Sequence, residues 1–239
     1  MNSYLLFIDT EASGLPKNWS LPYSADDNWP HAVQISWIIY DQNRNEIKRE
    51  DHYIKNTDFE IEASAVDIHG ITPEYLTVHG EDRADVLKLL ANDLCQYQPL
   101  VIGHFLKLDY YVLSVDFLRS GIKNPLPDLN VYCTMMASGH LAWQPMPRQM
   151  HLSELYAYLF YKELKNQHNA MVDAEATAQC FFELTDRGEI NDRLIGKQNI
   201  EAEKWRDPTV KPSGCILPVV LFILLGILVA YITLYERTS

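Results

Sequence analysis

Residues 212–235 contain no charged side chain, and CILPVVLFILLGILVAYITLY fills positions 215–235. At a rise of about 1.5 Å per residue, a helix of about 20 residues crosses a bilayer core of about 30 Å. A buried core helix usually keeps a polar face, and this run has none. The expectation is therefore one transmembrane helix over 212–235, with a short tail at 236–239. Ser239 stands four residues beyond Tyr235, so the span reads as a C-terminal tail anchor. Lys204, Arg206 and Lys211 precede it and Arg237 follows it. The N-terminal MNSYLLFIDTEASG is too short and too acidic for a secretory signal. The cation bias then places the residues before 211 in the cytosol.

Everything else must come from the preceding residues. The 239-residue chain is 47% hydrophobic and 22% charged, which excludes a wholly disordered, collagen-like or coiled-coil protein. Cys95, Cys133, Cys180 and Cys215 form no CxxC pair. That argues against a disulfide framework or a thiolate zinc site, and suits a reducing compartment. The net charge of −12 excludes a broad basic groove for nucleic acid, but leaves room for a local, acidic, metal-dependent site.

Short apolar runs at 3–8, 32–40 and 99–103 read as buried strands. DQNRNE makes a turn after the second, so residues 47–54 return as a hairpin partner, and 128–134 is a fifth strand candidate. Thr72-Pro73-Glu74 is a helix start, with a Thr cap and Pro at the first helical position. Helical periodicity also marks 82–97, 106–119, a segment from a Ser153 cap to about 161, and 169–185. Strands alternating with helices after an initial hairpin indicate an α/β fold, a mixed five-stranded sheet flanked by helices. Residues 187–211 are polar, with one short helical candidate before Pro208, and read as a tether to the membrane.

Asp9 and Glu11 stand at the end of the first strand. Alternate strand residues share a face, about 6.6 Å apart along it. Carboxylates so placed repel unless a cation lies between them, and hard divalent ions prefer such oxygen ligands. Asp109 opens a helix after a buried strand that should lie beside the first, whereas Asp116 is two turns further on. In HNAMVD, Asn169 suits an N-cap, which leaves His168 in the loop and Asp173 in the first turns. A histidine titrating near neutrality is a natural general base for a water.

FIDTEASGLP at 7–16, IHGIT at 68–72, GH-x4-D at 103–109 and HNAxxDAEAT at 168–177 occur in this order. Together they resemble the DEDDh family of 3′→5′ exonucleases, which includes polymerase proofreading subunits and three-prime repair exonucleases. The resemblance covers nearly all of residues 4–185 and implies a ribonuclease-H-like domain over 1–186. It further implies that Asp9, Glu11, Asp109 and Asp173 hold two Mg²⁺ or Mn²⁺ ions and that His168 deprotonates the attacking water. The product would be a nucleoside 5′-monophosphate, released from a 3′ end. The family usually carries Asn after the second-motif His and an aromatic residue before its Asp; here those positions are Phe105 and Leu108. Leu15 occupies the place where family members wedge an apolar side chain against the terminal base, and Thr10 and Lys17 are the other expected substrate contacts. Lys17, Trp19 and Trp29 lie in the long loop, where ordinary packing is the favoured reading and contact with a strand by charge and stacking is the alternative. His69 reads as part of a structural turn, and His104 receives no role.

The expected protein is a membrane-anchored, metal-dependent exonuclease acting on single-stranded or frayed DNA 3′ ends. Its alternatives are a short-RNA exoribonuclease and a catalytically silent, membrane-tethered nucleic-acid-binding module.

Overall fold

The computed structural model describes residues 3–141 and 148–205. They belong to one compact unit, Met1–Asp207. Its centre is a five-stranded sheet in the order β3-β2-β1-β4-β5. The strands are β1 (Tyr4–Ala12), β2 (Ala32–Asp41), β3 (Glu46–Tyr53), β4 (Leu100–Gly103) and β5 (Val131–Cys133). β1, β2 and β3 form an antiparallel meander, and β4 and β5 add in parallel. This is the mixed sheet that the strand and helix alternation predicts, and its order fits the ribonuclease-H-like fold that the resemblance implies.

The helices are α1 (Ala63–His69), α2 (Pro73–His79), α3 (Arg83–Tyr97), α4 (Lys107–Arg119), α5 (Thr134–Ala137), α6 (Leu152–Phe160), α7 (Ala170–Asp186) and α8 (Asp192–Ala202). The period-2 alternation of β1 divides the core in two. Leu6 and Ile8 join Val86, Leu90 and Leu94 of α3 and Leu113 and Phe117 of α4. Leu5 and Phe7 face the other way, onto Leu155 of α6 and Phe181 and Leu184 of α7. β4 pairs with β1 only from Leu5 to Phe7. The C-terminal half of β1 therefore runs past the end of β4, where the chain turns into α4. Gly103 permits that turn, because a Cβ there would lie 2.8 Å from Leu106 Cδ1 and 3.2 Å from the Ile8 carbonyl.

Several elements depart from the sequence expectations. β1 extends through Ala12, so Asp9 and Glu11 lie within a strand, opposite Ser36 and Gln34 of β2. α1 is an additional helix, ended by Gly70 in the left-handed region at φ 72°. α6 is capped at His151, not at Ser153, and the Glu154 carboxylate accepts the His151 backbone N–H.

The larger correction concerns residues 187–205, expected to be part of a tether. Here Asn191 caps α8, and Ile195 packs into the core beside Phe181. The reason is the open edge of β5. Gln198 accepts from the Cys133 N–H at 2.7 Å and donates to the Cys133 carbonyl at 3.2 Å, while Asn199 accepts from the Val131 N–H at 2.6 Å. Side-chain amides thus satisfy an edge that would otherwise pair with another chain. Trp205, at the end of this segment, is buried beside Tyr110, and the Tyr23 hydroxyl donates to its carbonyl at 2.5 Å. The polar composition of α8 reflects edge capping rather than solvation along its whole length. Among the described residues, no helix is long and apolar enough to cross a membrane; the apolar run at 212–235 lies outside them.

Candidate active site

The face alternation of β1 continues past the core into charge. Asp9 and Glu11 follow Leu5 and Phe7 on the α7 side, while Thr10 follows Leu6 and Ile8 on the α4 side. Asp109, in the first turn of α4, meets Thr10 there. The Thr10 backbone N–H and its hydroxyl both donate to Asp109 Oδ1, at 2.9 and 2.8 Å. From the opposite side α7 brings Asp173, with Asn169 as its cap accepting the Val172 N–H at 3.3 Å. His168 stands just before this cap, exposed and with left-handed backbone at φ 63°. Its N–H donates to Asp173 Oδ2 at 2.9 Å. Potential ligand atoms of Glu11, His168 and Asp173 lie within 4.8 Å of one another.

Asp9, Glu11, Asp109, Asp173 and His168 line one cleft of about 860 Å³. Its electrostatics follow from crowding like charges where little water reaches. Burial, then Asp109, Asp173 and Glu11, drives the Asp9 carboxyl well above its ordinary value. Burial, helped by Asp173 and Asp109, pushes Glu11 up to about 8. Burial raises Asp109 to about 7 even though the Thr10 hydrogen bonds oppose it, and burial also raises Asp173 against the pull of His168. Asp173 Oδ1 is buried without a hydrogen-bond partner among the described residues. Converging acids that resist ionisation, with one carboxylate oxygen unsatisfied, fit a divalent cation.

The remaining expected residues divide. Leu15 lines the same cleft and is 63% exposed, so its side chain is available to a ligand. Thr10 also borders the cleft, but its hydroxyl is engaged with Asp109; it positions an acid. Lys17 lies outside the acid-lined cleft, in an adjoining hollow bordered by Tyr23 and Asp27. Trp29 packs in the core with its indole N–H donating to the Pro22 carbonyl at 3.0 Å, so it offers no stacking face. Asp116 is fully buried elsewhere, accepting from the Ala32 N–H and from Arg119. His69 accepts the Ile71 N–H at 2.9 Å, the structural turn expected of it. His104 bridges the Thr134 hydroxyl and the Met150 carbonyl, both at 3.0 Å, and burial holds its imidazole down to about 4.

One contributor escapes sequence reasoning. Gln34 lies opposite Glu11 on β2 and accepts the Ala170 N–H at 3.1 Å, tying the first residue of α7 to the sheet. Its amide donates in turn to Asp51 of β3 at 2.8 Å. The available signal was a lone amide in the apolar run AVQISWIIY, where a buried polar group needs a partner.

The structure is similar to solved exonuclease I structures. The zinc-bound complex of the Escherichia coli enzyme with single-stranded DNA matches with a TM-score of 0.65 and 21% identity, over 83% of this chain and 43% of that one. The same enzyme with a dT13 oligonucleotide matches with a TM-score of 0.65 and 22% identity, over 84% and 46%. These likenesses establish a shared fold, and this chain spans less than half the length of those exonuclease I chains. No curated protein sequence matches the chain significantly. The exonuclease family model, RNase_T, matches residues 6–181, the stretch that supplies β1, α4, α7 and every acid of the cleft, and the chain therefore belongs to this exonuclease family of nucleases.

Proposed function

We propose that the domain hydrolyses nucleic acids one nucleotide at a time from the 3′ end, releasing nucleoside 5′-monophosphates. The observation that carries this reading is the convergence of Asp9, Glu11, Asp109 and Asp173, with His168 beside them, in one cleft. The four acids would hold two Mg²⁺ or Mn²⁺ ions. Such ions, when bound, offset the negative charge of the site and of the phosphate and promote ionisation of water.

The chain's own groups do the rest. A ring nitrogen of His168 takes the proton from the attacking water. The water oxygen bonds to phosphorus as the bond to the neighbouring 3′ oxygen breaks, and that oxygen takes a proton from solvent to leave a 3′ hydroxyl on the shortened strand. The His168 N–H bond to Asp173 holds the loop that carries this base, and Thr10 fixes the orientation of Asp109. Leu15 presses against the terminal base and keeps it from stacking on its neighbour.

Single-stranded DNA is the favoured substrate. The single-stranded DNA and dT13 bound to the similar exonuclease I structures support that choice. So does the net charge of −12, which leaves little cationic surface for a long duplex backbone. We further propose that residues 212–235 span a membrane with the domain on its cytosolic side, a reading supported by the absence of charge and by the preceding Lys and Arg residues.

Labelled DNA and RNA oligomers of matched sequence, with either end blocked, test the activity. Mononucleotide release from open 3′ ends in Mg²⁺ or Mn²⁺, abolished in Asp9→Ala, is expected. Release from the 5′ end, or activity surviving both Asp9→Ala and His168→Ala, overturns the reading. Preferred RNA cleavage would replace the substrate class alone. Carbonate extraction and protease protection of the full chain in membranes test the anchor.

A further inference from the structure

The cleft has a feature that the acids do not explain. Phe105 is a non-glycine residue in the left-handed region, at φ 61°; it borders the cleft and is 37% exposed. Such a backbone is strained for a bulky side chain and persists where surrounding structure over-determines it. Outside the cleft, Trp19 from the long loop lies 6.0 Å from Phe105 between ring centroids, tilted by 55°. Trp19 rests in turn on Tyr111, 5.8 Å away. Lys107 Nζ stands 5.2 Å from the Trp19 ring and 5.6 Å from that of Tyr111. Trp19 and Lys107 are both half-buried and so retain accessible surface. An aromatic residue at the border of the acidic cleft thus leads outward to a second aromatic ring carrying a cation.

We infer that Phe105, Trp19 and Lys107 form a subsite for the single strand upstream of the nucleotide being removed, with a nucleobase stacked on Phe105 and a backbone phosphate beside Lys107. The inference rests on the nuclease reading above and adds how an acidic protein holds more of its substrate than the terminal residue. Aromatic faces bind any base, and a cation at the outer end answers the backbone charge that the cleft's own carboxylates repel. The subsite takes single strands, since the faces of a base inside a duplex are already covered by its stacked neighbours.

Equilibrium binding of fluorescent oligothymidylates to the full chain in Ca²⁺, followed by anisotropy, tests this. It is run beside wild-type turnover of the same oligomers in Mn²⁺. Phe105→Gly removes the ring and relieves the backbone, so it keeps the fold, as a Tm at or above the wild-type value would show. It is expected to weaken octanucleotide binding about tenfold, within the range of about 5 to 150-fold for one lost base–aromatic stack, and to weaken dinucleotide binding less. Phe105→Tyr is expected to restore the affinity. Lys107→Gln is expected to weaken binding and to flatten its dependence on salt. Wild-type affinity in a folded Phe105→Gly, or an equal loss for the dinucleotide and the octanucleotide, overturns the subsite. A wild type that binds without hydrolysing keeps the subsite and removes the nuclease reading, whereas one that hydrolyses the oligomers without binding the octanucleotide more tightly than the dinucleotide removes the subsite alone.

Discussion

Thr10 spends both of its donors on a single oxygen of Asp109, across 99 positions of chain. The pair joins the first strand to the fourth helix at the point where the acids converge. It also restrains the Asp109 carboxyl, whose burial would otherwise raise its affinity for a proton further.

Thr10→Val keeps the backbone bond and removes the hydroxyl. A hydrogen bond to a charged group contributes about 1.5–3 kcal/mol. Mn²⁺ affinity, measured by titration calorimetry, is expected to fall about 10 to 100-fold, with Tm lowered only slightly. Unchanged Mn²⁺ affinity would show that Asp109 needs no such orientation.

The acids also set a pH dependence. Asp9, Glu11, Asp109 and Asp173 all hold their protons more tightly in the metal-free fold than at their ordinary values. A carboxyl raised by folding contributes stability below its unfolded value, near 4, and loses it as pH rises through the folded value. For Glu11 that window ends at about 8. His104 runs the other way: its imidazole is held down to about 4, so its contribution is present above about 6.5 and is lost as pH falls. The difference between wild type and Glu11→Gln isolates the acid. Metal-free Glu11→Gln is expected to gain Tm over wild type progressively from pH 4 to 8, and saturating Mn²⁺ is expected to erase the gain. Parallel melting curves across that range would refute the charge crowding.

His168→Ala is expected to slow cleavage about 10² to 10⁴-fold, the usual contribution of a general base. The backbone N–H that holds Asp173 survives the substitution, so Mn²⁺ affinity is expected to change far less than the rate. A full rate in His168→Ala would assign the proton to another group.

Gln198→Ala leaves the Cys133 N–H and carbonyl on the β5 edge without their partners. Chemical denaturation is expected to show a loss of about 1–3 kcal/mol, the cost of unsatisfied polar groups. A neutral result would return α8 to the role of a loosely held tether.

Much of this arrangement was legible before any coordinate. Three strands follow from apolar runs, β3 from the turn that precedes it, and most helices from their periods, because one buried face imposes a fixed repeat on each element. Asp9 and Glu11 could be placed on one face by the strand repeat alone, and Asn169 could be recognised as a cap from its position before an apolar helix. α8 was misread because its amides serve a strand about 65 residues earlier, and nothing local distinguishes an amide that caps an edge from one that meets water. Gln34 and Thr10 were underused for the same reason: their partners are Ala170 and Asp109. Trp29, for which packing is the favoured reading, is buried in the core, as a large apolar ring beside Pro and Tyr residues suggests.

Residue order and spacing alone determined which side chains were candidates for metal and proton chemistry, since strand and helix repeats act over a few residues. Tertiary structure alone decided that they share one cleft, that Lys17 stands outside it, and that Phe105 borders it. Those outcomes depend on where β4 ends against β1 and on which distant donor meets each carboxylate. Such contacts are set by packing and by the satisfaction of buried polar groups, and no local stretch of sequence encodes them.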